Sequence, residues 1–205
     1  MTVEQIRRWL SGRFAEAVAR QLARIGLTPN SLTLLGLAIN AVAAYLAAVE
    51  QLLAAGLVVL FSGVFDLTDG ALARISGRVT RFGAFLDSNV DRLSEIALFL
   101  GLLILYMRVN SVTEMILIFV ALAGSLMVSY TKARAEGLGL RCDVGYFTRP
   151  ERVIVLALGL IFNLVWLALW IVATLSAFTA LHRIIYVWLE TRKIDSSGGV
   201  GGATG

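Results

Sequence analysis

Cysteine and histidine are each present once, and both scarcities limit the kinds of site this chain can form. The 205 residues contain one cysteine and one histidine. A disulfide framework or a thiolate metal site needs several cysteines, so the single Cys142 excludes both. The single His182 follows a long apolar run near a basic helix end, where histidine is more typical of an interface side chain than of a ligand. We therefore assign His182 no catalytic role.

Charged residues are also few. They make up 16% of the chain, while 58% of the residues are hydrophobic, and the mean hydropathy is +0.81. A soluble domain of this size carries about 25% charged residues, so the composition predicts one integral membrane domain. The net charge of +4 comes from basic residues that flank apolar runs, which favours anionic lipid headgroups over nucleic acid as the counter-charge.

Apolar runs of membrane-spanning length divide the chain into an all-α bundle of six predicted transmembrane helices. We place these helices at about 32–49, 52–75, 83–107 and 112–135, followed by a short fifth helix from Val153 and a sixth that ends near Leu189. The uncharged run from Val153 to Leu181 is too long for one helix without strong tilt, so we divide it at Phe162-Asn163-Leu164.

The two ends of the chain differ from this bundle. Residues 3–24 place apolar side chains on one stripe and arginines over much of the rest, with Trp9 as an anchor, which predicts an amphipathic helix lying in the membrane interface. The Gly-rich end is expected to be disordered. The predicted domains are residues 1–26 for the juxtamembrane helix, 27–192 for the six-helix domain and 193–205 for the tail.

Basic residues predict the orientation of the bundle. With six spans, seventeen of the eighteen Lys and Arg residues fall on one side, and Arg108 alone falls on the other. The positive-inside rule then predicts a multi-pass protein of the cytoplasmic membrane, with both termini and the active site in the cytosol.

Four aspartates at helical spacing form the main candidate site. Asp66 and Asp69 are three residues apart, and Asp87 and Asp91 are four residues apart, so each pair projects from one face of its own helix. A short basic loop joins the two helices, which brings the pairs face to face at one side of the membrane. Four carboxylates this close require cations between them, and an oxygen-only set suits Mg²⁺ or Mn²⁺. We predict two such ions per site.

Small residues surround these carboxylates. Gly70 and Ala73 lie on the Asp66/Asp69 face and Gly83 lies one turn before Asp87, which leaves room for a ligand. Arg74 adds a planar cation suited to phosphate, so a metal-bridged phosphate ligand is favoured. The alternative is that the aspartates are interface charges paired with nearby arginines, but this does not explain the two ordered pairs.

The pattern resembles the CDP-alcohol phosphotransferase signature, D-x2-D-G-x2-A-R-x8-G-x3-D-x3-D. All eight specified positions match, namely Asp66, Asp69, Gly70, Ala73, Arg74, Gly83, Asp87 and Asp91. The resemblance implies a six-helix membrane enzyme, often a homodimer, that transfers a phospho-alcohol group from a CDP-linked lipid donor to an acceptor hydroxyl and releases CMP. It further implies that Asp91 is both the catalytic general base and a neighbour of the metal.

The resemblance also places the donor. Its nucleotide and phosphates are expected to contact the glycines, alanine and arginine of the motif together with residues of two flanking loops. The full predicted donor set is Pro29, Asn30, Ser31, Gly70, Ala73, Arg74, Thr80 and Gly83.

The acceptor is predicted from a second set of basic residues. The segments Lys-Ala-Arg-Ala-Glu-Gly and Arg-Pro-Glu-Arg resemble the phosphatidylinositol phosphate synthase branch, which implies inositol 1-phosphate as the acceptor and a phosphate pocket formed by Lys132, Arg134, Arg149 and Arg152. These cations also fit a simpler role as positive-inside anchors.

Two other functions remain open on the sequence alone. One is the same reaction class with glycerol 3-phosphate, a plain polyol, an amino alcohol or a CDP-inositol donor. The other is a divalent-cation transporter, since intramembrane carboxylates also mark ion paths. The four aspartates lie near one face and no acidic path continues from them, which favours the enzyme. The lipid of the donor can be diacyl or archaeal dialkyl.

Overall fold

The computed structural model describes residues 18–21, 26–77 and 79–198. All regular secondary structure in these parts of the chain is helical, so the all-α prediction is confirmed for them. The four residues 18–21 are helical, but nearly all of the predicted interfacial helix lies outside the described residues.

Six long helices follow one another along the described chain. They are α1 (Pro29–Ala48), α2 (Leu52–Ile75), α3 (Arg81–Arg108), α4 (Val112–Glu136), α5 (Arg149–Ile161) and α6 (Val165–Gly198). Four of them contain segments long and apolar enough to cross a membrane, namely Pro29–Ala48, Leu52–Ile75, Val112–Glu136 and Val165–Ser196. Helix α3 carries several charges in its first half, and α5 has only 13 residues.

Hydroxyl side chains fix where the helices near the candidate site begin. Thr28 accepts a hydrogen bond from the Ser31 N–H at the start of α1, and Thr80 accepts one from the Gly83 N–H at the start of α3. Each bond satisfies an N–H that has no partner within its helix. Thr148 and Glu151 form a capping box that fixes the start of α5.

The predicted break between the last two helices is confirmed, but the predicted end of the last helix is wrong. Phe162 caps α5, and Asn163 adopts φ 54°, a left-handed conformation that asparagine tolerates. Helix α6 continues to Gly198, beyond the predicted end near Leu189. The added turns contain helix-forming residues and a Glu190–Lys193 ion pair, so the first strong breaker is the glycine run itself.

Close packing of α1 against α3 places the candidate site. A Cβ atom on Gly101 of α3 would lie 2.2 Å from the Ala44 carbonyl oxygen of α1, so only glycine allows this approach. Helix α1 also packs on α2, and α5 packs on α2 as well. Phe99 and Leu102 of α3 are fully buried in the main apolar core. Both aspartate-bearing helices therefore pack against α1.

Candidate active site

One cavity opens between the starts of α1 and α3 and the end of α2. Its volume is about 360 Å³, and it is lined by Asp69 of α2 and Asp87 of α3. We call it the Asp69/Asp87 cavity. Seven of the eight residues predicted to bind the donor line it, namely Pro29, Asn30, Gly70, Ala73, Arg74, Thr80 and Gly83. The eighth, Ser31, is not among its lining residues and instead hydrogen-bonds Thr28 at the start of α1.

Hydrogen bonds orient Asp69 within this cavity. The Thr33 hydroxyl of α1 donates to Asp69 Oδ2 at 2.9 Å, and the Gly70 N–H donates to Asp69 Oδ1. Thr33 therefore ties α1 to the aspartate motif, a contact that the sequence reading did not identify because it joins residues 36 positions apart.

Arg149 joins one aspartate of each pair. Its Nη2 lies 2.8 Å from Asp66 Oδ2, and its Nη1 lies 2.8 Å from Asp91 Oδ1. The sequence reading assigned Arg149 to the acceptor phosphate, whereas the structure places its guanidinium directly between two of the predicted metal ligands. Arg149 thus connects α5 to both α2 and α3 at the centre of the site.

The residue types at this site fit a divalent metal. Two helices supply four carboxylates, and hard cations such as Mg²⁺ and Mn²⁺ prefer oxygen ligands. Across residues 18–21, 26–77 and 79–198, however, no three His, Cys, Asp or Glu side chains lie close enough together to hold a metal ion as they stand. The chemistry of the donor set thus fits the predicted ions, while the side chains of Asp66 and Asp91 are engaged by Arg149.

A second and larger cavity is lined by basic residues. It has a volume of about 890 Å³ and lies among α3, α4, α5 and α6. We call it the basic cavity. Lys132, Arg149 and Arg152, which were predicted to bind the acceptor, line it together with Asp91. Arg134 is exposed on α4 and is not among the lining residues, because it lies two residues from Lys132 and so points away from the same face.

Arg183 is a further cation of this cavity that the sequence reading missed. It lies on α6, is only 4% exposed and lines the basic cavity. Its Nε donates to the Val144 carbonyl at 2.9 Å, and its Nη1 donates to the Val128 carbonyl. An arginine inside an otherwise apolar spanning segment is itself a functional signal, and this signal was present in the sequence.

Arg152 is held by a second residue that the sequence reading missed. Its Nε lies 2.7 Å from Glu95 Oε1, and its Nη2 lies 3.0 Å from Glu95 Oε2. Both side chains are buried, at 1% and 3% exposed. The pair connects α3 to α5 next to the basic cavity.

The two cavities are lined by neighbouring aspartates of α3. Asp87 lines the Asp69/Asp87 cavity, and Asp91 lines the basic cavity. These residues are four positions apart on α3, so about 6 Å of helix separates them. Each cavity therefore has one carboxylate of the same face of α3 in its lining.

Comparison with known proteins relates this arrangement to characterised proteins. The chain is 36% identical over 170 residues to an archaetidylinositol phosphate synthase of Pyrococcus horikoshii, covering 82% of this chain and 88% of that protein. A crystal structure of Mycobacterium tuberculosis phosphatidylinositol phosphate synthase with CDP-DAG bound matches with a TM-score of 0.80 and 37% identity, over 86% of this chain and 94% of that one. A structure of the same enzyme in complex with manganese and citrate matches with a TM-score of 0.78 and 38% identity, over 85% and 88% of the two chains.

The similarity extends over the whole helical bundle. The family model of CDP-alcohol phosphatidyltransferases matches residues 26–189, which include both cavities and all four aspartates. Since this match and the Pyrococcus relative each cover most of the sequence, the chain belongs to the CDP-alcohol phosphatidyltransferase family.

Proposed function

We propose that this protein transfers a phosphatidyl or archaetidyl group from a CDP-linked lipid to a hydroxyl of inositol 1-phosphate and releases CMP, as a step in phospholipid biosynthesis. The observation that carries the proposal is that two different cavities are lined by neighbouring aspartates of α3, the first by Asp87 and the second by Asp91. A transferase with two substrates needs two such binding spaces close to one set of reacting groups.

The Asp69/Asp87 cavity suits the donor. Gly70 and Gly83 have no side chains that would fill it, and Arg74 provides a planar cation for phosphate. The related structure with CDP-DAG bound supports the same ligand class here. The acyl or alkyl chains of the donor would remain in the surrounding lipid.

The basic cavity suits a phosphorylated acceptor. Lys132, Arg152 and Arg183 reach it from three different helices, and guanidinium groups bind phosphate through paired hydrogen bonds. The names of the relatives as archaetidylinositol and phosphatidylinositol phosphate synthases support inositol 1-phosphate. In this proposal Arg183 takes the place that the sequence reading gave to Arg134.

Asp91 is the group that we propose as the general base. It takes the proton of the acceptor hydroxyl as that oxygen forms a bond to the lipid-linked phosphorus, while the bond from this phosphorus to the CMP oxygen breaks and CMP leaves with the electron pair. A base must lie within about 2.6–3.2 Å of the proton-bearing oxygen. Asp91 lines the acceptor cavity, and the contact from Arg149 fixes the direction of its carboxylate.

A divalent cation, Mg²⁺ or Mn²⁺, is the cofactor that the carboxylates fit. We propose that Asp66, Asp69 and Asp87 hold two ions per site with Asp91 as a neighbour, and the related structure with manganese supports the choice of metal. When bound, the ions would neutralise the donor pyrophosphate and polarise the attacked phosphoryl group.

The arrangement in the membrane is also a proposal. All six helices would span the bilayer as a multi-pass protein of the cytoplasmic membrane, with the site and both termini in the cytosol, and two chains would form a homodimer. The four segments suited to crossing a membrane and the basic residues around both cavities support this arrangement.

An acceptor panel tests the proposed function. Purified protein receives one CDP-linked lipid and, in separate reactions, inositol 1-phosphate, inositol, glycerol 3-phosphate or serine, and CMP release is measured. We expect inositol 1-phosphate to give the highest kcat/KM. A higher value for glycerol 3-phosphate or serine would overturn the acceptor assignment and leave the reaction class standing.

A further inference from the structure

The buried ion pair between Glu95 and Arg152 leaves one end of the arginine without a partner. The carboxylate of Glu95 accepts hydrogen bonds from Nε and Nη2 of Arg152. Nη1 of Arg152 is buried and has no hydrogen-bond partner among the described residues. A buried N–H without a hydrogen-bond acceptor is unfavourable, so this atom is expected to meet an acceptor that the protein itself does not supply.

The position of Arg152 indicates that this hydrogen-bond acceptor belongs to a ligand of the basic cavity. Arg152 lines the basic cavity and is 1% exposed, so its guanidinium is shielded from bulk water at the edge of a space lined by several cations. The start of α5 is fixed by the capping box of Thr148 and Glu151, which lie four residues and one residue before Arg152. Backbone and side chain of Arg152 are therefore both held in place.

Glu95 does not line the basic cavity. It lines instead a small neighbouring pocket together with Asn40, Ser62 and Ser94. Its hydrogen bonds to a residue of the basic cavity go to Arg152. The two-point contact between a carboxylate and a guanidinium fixes the plane of the guanidinium as well as its position.

We propose that Glu95 is a positioning residue for the acceptor phosphate. It holds Arg152 by two nitrogens so that the third, Nη1, is presented to a phosphate oxygen in the basic cavity. This inference rests on the proposed function, because it assigns a phosphorylated acceptor to that cavity. It adds a residue that lies one turn beyond Asp91 on α3.

The test compares Glu95→Gln, Arg152→Gln and the double variant with the wild type, after thermal unfolding has shown that each is folded. Glutamine keeps the size of Glu95 and removes its charge. We expect the KM for inositol 1-phosphate to rise about 10- to 100-fold in Glu95→Gln, with the KM for the CDP-lipid unchanged. In the Arg152→Gln background, Glu95→Gln should add no further effect.

The control is Glu114→Gln. Glu114 lies in the first turn of α4, whereas the basic cavity is lined by the second half of that helix, so this variant should leave both KM values unchanged. If Glu95→Gln does not fold, Glu95→Asp, which keeps the charge and shortens the reach, replaces it with the same expected rise in acceptor KM. Equal changes in the two KM values would show a purely structural role and overturn the inference, as would no change in either.

A binding measurement separates this inference from the proposed function. Inorganic phosphate is titrated into purified protein by calorimetry, without donor or turnover. We expect wild type to bind phosphate and Glu95→Gln to bind it about 10-fold or more weakly. If wild type binds phosphate more tightly than Glu95→Gln but does not use inositol 1-phosphate, the proposed acceptor is wrong while the role of Glu95 stands. If both proteins bind phosphate equally, the role of Glu95 is wrong whatever the acceptor.

Discussion

At the scale of single residues, substitutions of Gly70 test where the donor binds. A Cβ atom there would meet only Arg74 Nη1, at 3.6 Å, so Gly70→Ala should be tolerated. Gly70→Val adds two methyl groups toward the Asp69/Asp87 cavity, and we expect the KM for the CDP-lipid to rise about 10-fold or more. Steady-state kinetics with the acceptor saturating measures this change. An unaltered donor KM in Gly70→Val would show that the nucleotide lies elsewhere.

A substitution of Asp87 tests the metal site. Asp87→Asn keeps the size of the side chain but removes a ligand charge, so we expect turnover to fall at least about 100-fold and Mn²⁺ binding, followed by electron paramagnetic resonance, to weaken. Asp195→Asn, on the exposed end of α6, is the matched control and should change neither. Full activity in excess chelator would refute the metal assignment.

At the scale of helices, the approach of α1 to α3 holds the site together. Gly101→Ala would place a Cβ atom 2.2 Å from the Ala44 carbonyl oxygen, and the helices must separate to accept it. We expect a loss of roughly 1–3 kcal/mol, seen as a melting temperature lower by several degrees in detergent. Gly63→Ala, where a Cβ atom meets nothing within 4 Å, should not be destabilised. Equal melting temperatures for both variants would contradict this packing.

The helices also show what the sequence could and could not predict. Thr28-Pro29, Thr80 and Asn163 are local signals, and the structure has helix boundaries at or next to each of them. The aspartate pairs were predictable because their spacing is local as well. The contacts Thr33–Asp69 and Glu95–Arg152 join residues 36 and 57 positions apart. No periodicity encodes such contacts, so they required the packed bundle.

At the scale of the whole molecule, the orientation in the membrane can be measured. Cys142 is buried, so a cysteine introduced at the surface should dominate labelling. Val109 in the α3–α4 loop and Leu138 in the α4–α5 loop are both exposed. We expect a membrane-impermeant maleimide to label Val109→Cys in intact cells and Leu138→Cys only after permeabilisation. The reverse pattern would place the site on the outer face.

The proposed reaction requires that donor and acceptor meet at Asp87 and Asp91. The most direct test supplies purified protein with Mg²⁺, a CDP-linked lipid and inositol 1-phosphate, and follows CMP and the lipid product together by mass spectrometry, in wild type and in Asp91→Asn. We predict one phosphatidylinositol phosphate for each CMP, no CMP without acceptor, and little of either product in Asp91→Asn. CMP release that does not depend on the acceptor, or undiminished transfer by Asp91→Asn, would contradict it.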